Sequence, residues 1–589
     1  MPVRAIRGVA LTAALLLVGC GGDADRSGEL RFVGLSGGTC ASGAAALFGK
    51  VPVRLALASA EPNDAGSGGL RRVALVVGGG TPLEDSSPPF QVEVDTALLP
   101  DGDVTFEAAG ELSGGGEVKA SLQVCVDNGG PKLTLISPGS GSGAIKVEDA
   151  ELVVRARATD PAGVLGVEAT LAGGGAFHHA ACTPPGGPDV TCQLRPTDLA
   201  LALQPKQTTE LTLRVVARDK LGRESSLERT LTLGTRLLWS VSAGAPIQWA
   251  PVVSPAGVIM VGTDAGSVLV IDPQTHTPIC TYTALPVSGK ADSVAAPMTL
   301  SADGSRLYLA TLNRVIAVDT ASCAELWSGT GLHAASRPAL DEAAGVVYIG
   351  SYGTQAASGS LVAYGTANGT VLGTHPIAPI DGAVTSSPAL SSDGKRVYIG
   401  SSDFKLYAVD ASSPANMKTL WTYATAGKVE SGPLVTSTRV YVAGSGKDRA
   451  VHAVDPQSGQ IDSGFNFSAQ AGFYSGPRPG PGGVLYIGSL DANLYAVDAT
   501  TGKTLATYAT GRMLRAEPAF GPGNVVFAVS VEPARLYALS DKLKLLWSAT
   551  PSGGANERIS ASPTVHGDTV LIATSNGYLH ALDATAPGS

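Results

Sequence analysis

The sequence predicts an all-β protein: two β-sandwiches followed by an eight-bladed β-propeller, closed by an N-terminal outer strand. Three observations predict this. First, the chain carries 74 Gly and 38 Pro among short apolar runs, the pattern of many strands joined by turns. Second, a Pro-anchored repeat recurs at Pro251, Pro297, Pro338, Pro388, Pro433, Pro477, Pro518 and Pro563, a spacing of about 45 residues that marks propeller blades of four short strands. Third, Leu237-Leu238-Trp239-Ser240 stands before the first repeat as a near copy of Leu545-Leu546-Trp547-Ser548.

Residues 1–19 read as a leader: Arg4 and Arg7, then the apolar stretch Gly8–Val18, which is too short to span a bilayer as a helix. The run Leu17-Val18-Gly19-Cys20 resembles the bacterial lipobox. That resemblance implies cleavage before Cys20 and lipidation of its thiol, with several acyl chains giving stable anchoring. Gly21 rather than Asp follows Cys20, which in enteric-type sorting fits release to the outer membrane. Residues 20–28 form the lipidated tether.

Residues 29–130 and 131–235 each hold about six short alternating strands, the size and rhythm of an Ig-like sandwich. Pro88-Pro89-Phe90 with Leu99-Pro100-Asp101-Gly102, and Asp160-Pro161-Ala162-Gly163 in the second unit, resemble bacterial Ig-like domains. The six cysteines after Cys20 are an even set in an exported chain and suggest disulfides. Spacing alone leaves fifteen pairings of six open, but placement narrows them. Cys40 and Cys125 lie near the first and last strands of the first unit. Cys182 and Cys192 would staple a hairpin, and Cys280 and Cys323 would bridge adjacent blades. No metal centre is expected. His178-His179 lack partners at zinc spacing, and Asp101 and Asp103 lack the acidic ladder of a calcium loop.

The propeller occupies residues 236–589. Its middle strands, such as Val397-Tyr398-Ile399 and Leu406-Tyr407-Ala408-Val409, are apolar throughout because both faces of a blade pack on neighbours. A small residue follows the second strand's apolar run at Gly262, Ala310, Gly350, Gly400, Ala443, Gly488 and Ala573, with Val529 as the exception. Asp272, Asp319, Asp410, Asp455, Asp498 and Asp583 end third strands and start tight turns. The fourth strands centre on Trp327, Trp421, Tyr508 and Trp547.

A formal charge of −9 with only 15% charged residues argues against a nucleic-acid binder, which needs a basic stripe. The run Leu-Tyr-Ala-Val-Asp-Ala-x-Thr-Gly-Lys at 494–503 resembles the PQQ-type propeller repeats. That family includes quinoprotein dehydrogenases and a non-catalytic lipoprotein of the outer-membrane barrel-assembly machinery. The enzymes typically carry an adjacent Cys pair and Glu, Asn and Asp ligands for Ca²⁺, and no adjacent Cys pair occurs here. The reading is therefore a non-enzymatic lipoprotein scaffold of the cell envelope, without a cofactor, that binds envelope proteins. A PQQ-dependent dehydrogenase and a surface glycan-binding protein are the alternatives. The loops that lead into each Pro anchor should line the propeller mouth, and their charged and aromatic residues make the candidate binding face: Trp249, Arg337, Lys428, Glu430, Phe473, Tyr474, Arg512, Arg515, Glu517, Glu557 and Arg558.

Overall fold

The computed structural model describes residues 29–42, 44–58, 69–139, 144–330, 336–352, 358–380, 383–551 and 557–587. The leader, Cys20 and the tether lie outside these residues. Among the described residues no helix is long and apolar enough to cross a membrane.

The first sandwich sets a three-stranded sheet (Leu30–Val33, Lys50–Leu57, Gln91–Asp95) on a four-stranded one (Leu83–Asp85, Leu70–Val77, Gly102–Leu112, Glu117–Val126). Alternation sends Val53, Leu55 and Leu57 from one sheet and Val104, Phe106 and Ala108 from the other into one shared core, as two inner faces do in a sandwich. The second sandwich repeats the plan. Its sheets are Asp189–Leu194, Leu152–Thr159 and Lys132–Ser137, and Ala176–Ala181, Val164–Gly173, Thr209–Asp219, Glu224–Gly234 and Ile145–Lys146. Asp103 Oδ1 accepts the Cys40 N–H, and Asp101 Oδ1 accepts the Asn128 N–H, so both acids brace backbone.

Three disulfides join Cys40 to Cys125, Cys182 to Cys192 and Cys280 to Cys323. The second staples a hairpin as expected, since Thr183 and Thr191 just inside it exchange backbone hydrogen bonds at 2.8 and 2.7 Å. Ala176–Ala181 pairs with Val164–Gly173 in one sheet, whereas Asp189–Leu194 belongs to the other. The stapled hairpin thus also stands where the chain crosses from one sheet to the other. His178 and His179 sit on that edge strand, facing Asp198 at 2.9 Å and Glu168 at 3.8 Å.

Between Leu237 and Asp583 there are eight four-stranded antiparallel sheets among the described residues. Seven are meanders of consecutive strands. In the eighth, Leu237–Ser242 pairs with Tyr578–Asp583 and supplies the outer strand. Apolar clusters join each sheet to the next. A further cluster packs Ile259, Val261 and Leu269 of the first sheet on Leu571, Ala573 and Leu579 of the eighth. The ring is thus closed as a β-propeller, and no terminal sheet is left with a bare face.

Burial follows position in the sheet. Middle strands such as Val346–Gly350 and Val440–Ala443 are wholly buried, while outer strands such as Thr504–Ala509 alternate between exposed and half-buried. The small residue after the second strand has a steric cause. A Cβ on Gly350 would come 2.5 Å from the Val384 carbonyl oxygen, one on Gly488 2.7 Å from Leu514, and one on Gly400 would overlap Val429. The third-strand acids Asp272, Asp319, Asp410, Asp455 and Asp498 accept backbone N–H groups two or three residues on. Hydrogen bonds from Thr275, Ser322, Ser412, Ser458 and Thr501 hold these carboxyls below the usual range. The indole N–H groups of Trp327, Trp421 and Trp547 donate to Thr366, Pro456 and Thr585 in the neighbouring sheet's turn. Gly459, at φ +69°, leaves room for the Trp421 ring against that turn.

The second sandwich is clamped to the ring. Ala150 N–H donates to the Leu546 carbonyl and Ser548 N–H to the Glu148 carbonyl, at 3.0 and 3.1 Å. Arg236, 1% exposed, lies under this contact. It binds Asp149 Oδ1 at 2.7 Å, donates to the Asp583 and Thr585 carbonyls, and lies 4.5 Å from the Trp547 ring centre. Burial pushes the Asp149 carboxyl up, against the pull of Arg236.

Candidate binding surface at one end of the ring

Among the described residues, seven of the eight segments that run from an outer strand to the next inner strand are pinned at two points. One is the Pro anchor. The other is an apolar plug, fully buried at Ile247, Val384, Val429, Phe473, Leu514 and Ile559, four residues before Pro251, Pro388, Pro433, Pro477, Pro518 and Pro563. Val294 plays the same part three residues before Pro297. The N–H groups of Val384, Val429, Phe473 and Leu514 donate to the Ser351, Ser401, Gly444 and Ser489 carbonyls of the preceding sheet, at 3.0–3.2 Å. This double pinning orients what lies between. The residue after the plug and the residue before the Pro both face the ring's centre, where a cavity of about 720 Å³ opens.

All eight segments contribute lining residues, among them Gln248, Thr385, Glu430, Tyr474 and Arg515 from the first position and Arg337 and Glu517 from the second. Arg337 is the most constrained. Its Nε is buried and has no hydrogen-bond partner. Burial pulls its guanidinium below the ordinary value, Glu517 opposes this and Arg478 adds to it. Glu517 lies 3.5 Å from Arg478. The Arg515 guanidinium lies 4.9 Å over the Tyr474 ring, a cation–π contact that holds an exposed aromatic at the rim. Trp249 lines the wall with its indole N–H donated to the Val294 carbonyl at 3.0 Å. Three guanidiniums, Arg337, Arg478 and Arg515, face two carboxylates, Glu430 and Glu517. That set suits an anionic or acceptor-rich group.

The structure brings six of the eleven candidate face residues to this cavity: Trp249, Arg337, Glu430, Tyr474, Arg515 and Glu517. Arg512 and Arg558 lie with Arg515 at a neighbouring depression, where Arg558 pairs with Glu532 at 3.2 Å. Lys428 is exposed but precedes the plug Val429 and is not among the cavity-lining residues. Two candidates are corrected. Phe473 is 0% exposed because it is itself the plug, packed near Phe467. Glu557 is 3% exposed, with Oε1 3.8 Å from His580 Nε2 inside the eighth sheet. The reading overlooked Gln248, Thr385 and Arg478. The first two could have been found by counting from the Pro anchor. Arg478, just beyond Pro477, carries no such signal. Residues 332–335, 381–382 and 556 of the predicted mouth lie outside the described residues.

A family model described as outer membrane protein assembly factor BamB matches residues 227–461 and 447–586. The crystal structure of BamB from Moraxella catarrhalis is similar over 59% of this chain and 99% of that one, at 15% identity and a TM-score of 0.47. A computationally designed protein, Ika8, is similar over 59% of this chain and 100% of its own, at 13% identity and a TM-score of 0.49. No curated protein matches the sequence.

Proposed function

Because the chain belongs to the family of the outer membrane protein assembly factor BamB, whose model matches more than half of it, we propose that it is a non-enzymatic scaffold of the outer-membrane assembly type. In this reading Cys20 carries the lipid anchor, the two sandwiches are Ig-like modules, and the eight sheets are the blades of a propeller that presents its central mouth to an envelope protein. The observation that carries the reading is the mouth itself: eight Pro-anchored segments, seven of them with a buried plug among the described residues, around a cavity lined by Arg337, Arg478, Arg515, Trp249 and Tyr474. Arg and aromatic side chains on a preformed concave surface are the composition of interaction hot spots. The buried, unpartnered Arg337 Nε is a donor that an incoming acceptor would satisfy, and an unmet buried donor is costly.

The test is capture of partners by the intact protein from detergent-solubilised envelopes, compared with the Arg337→Ala/Arg515→Ala variant. The variant is expected to lose at least tenfold of the specific partner signal while its melting temperature stays within a few degrees of wild type. Undiminished capture by a folded variant would contradict the assignment of the mouth.

A further inference from the structure

We infer that the junction between the two sandwiches binds one calcium ion through Asp127, Asp160 and Asp219. No metal centre is expected from the spacing of local motifs, and these three residues come from separate places in the chain. Asp127 is the first residue after the last strand of the first sandwich, Asp160 lies in the turn after Leu152–Thr159, and Asp219 ends Thr209–Asp219. Only residues 127–131 separate the two sandwiches in sequence. A Cβ on Gly130 would lie 3.0 Å from the Glu224 carbonyl oxygen, so the linker is pressed against the second sandwich.

One oxygen from each carboxylate lies within 4.8 Å of the other two. A calcium ion with Ca–O bonds of about 2.4 Å spans about that distance across its coordination sphere. The second observation is independent of the clustering. Asp127 is 0% exposed, yet its Oδ1 is buried without a hydrogen bond, as are both oxygens of Asp160. Buried carboxylate oxygens are ordinarily paired, so three orphaned ones in one cluster mark a missing partner.

The neighbouring cation does not fill that role. Arg223 approaches Asp127 Oδ2 at 2.5 Å and Asp219 Oδ2 at 2.8 Å, and donates to the Asp127 carbonyl. It thus braces the two acids through their Oδ2 atoms and leaves Asp127 Oδ1 and both Asp160 oxygens unmet. Lys220 lies across Gly163 in the adjoining turn, and no ion pair from it to the three carboxylates is found among the described residues. Three carboxylates against one guanidinium leave a surplus of negative charge that a divalent cation would balance. Consistent with this crowding, burial together with Asp127 and Asp219 pushes the Asp160 carboxyl up to about 6. Hard oxygen donors of this kind favour Ca²⁺, whose coordination is flexible and is completed by backbone carbonyls and water. The ion would join an acid of the first sandwich to two of the second and so fix the angle between them.

The test uses the intact chain, stripped with a chelator and dialysed at neutral pH. Equilibrium dialysis with ⁴⁵Ca²⁺ is expected to give one ion per chain with a Kd on the order of 10⁻⁴ M or tighter, in the range of extracellular modules. Calcium is also expected to raise the unfolding temperature. Asp160→Asn, at a half-buried and readily tolerated position, is expected to weaken binding at least tenfold. In chelator it should unfold at a higher temperature than wild type, because it removes one of the repelling charges. No uptake by wild type at 5 mM calcium would overturn the proposal, as would equal uptake by Asp160→Asn. In either case the acids would be sharing protons rather than a metal.

Discussion

At the junction of the second sandwich with the ring, and at the junction between the two sandwiches, an arginine bridges acids from both sides, but its charge is met differently. Arg236 has one close carboxylate, Asp149, two carbonyls and the Trp547 face. Asp583 Oδ1 stands off at 3.8 Å. Every element of that contact has a partner, and the second sandwich is seated on the ring rather than held on a loose stalk. Arg223 faces Asp127 and Asp219, with Asp160 unpaired beside them. The first junction is complete with protein groups alone. The second has more acceptors than donors, and so calls for something from outside the chain.

The largest expected effect tests the complete junction. Arg236→Ala strands a buried Asp149 and frees two buried carbonyls, which should cost about 3–5 kcal/mol. A denaturant titration that follows Trp fluorescence would read it. If the cost falls within experimental error, the clamp is ornamental and the comparison fails. A smaller effect is expected from Arg223→Ala, because the Arg223 side chain is 28% exposed and water can relieve the acids. In chelator the loss should be about 1–3 kcal/mol. Calcium should then recover more stability for the variant than for wild type, since the surplus charge has grown. Equal recovery by both proteins would separate Arg223 from the calcium site.

The ring was largely legible in the sequence, and the junctions were not, for a physical reason. A period of about 45 residues places equivalent residues in equivalent surroundings, so the Pro anchors, the Asp turns and the Leu237–Ser240 copy each declare a role repeatedly. Arg236 and Asp149 have no counterpart in the repeat and meet Asp583, a repeat acid, only in three dimensions, and Asp127, Asp160 and Asp219 likewise come together only in the fold. Nothing in their local sequence distinguishes them from ordinary turn or edge residues. Within the mouth, residue type misled where register would have served. Phe473 looked like an exposed aromatic, yet counting back from Pro477 places it with Val429 and Leu514 at the buried plug. Tyr474, one residue on, is at the position that lines the cavity. Glu557 was placed by its loop, but it turns into the eighth sheet towards His580.

Site-specific photo-cross-linking in intact cell envelopes tests most directly whether the partner is held at the mouth. A cross-linking residue would replace Tyr474 at the mouth and, separately, Ser392, in the turn after a first strand, which the meander places at the opposite end of the ring. A discrete protein adduct is expected from position 474 and none from position 392. An adduct that forms only from position 392, or equally from both, would contradict a partner held at the mouth.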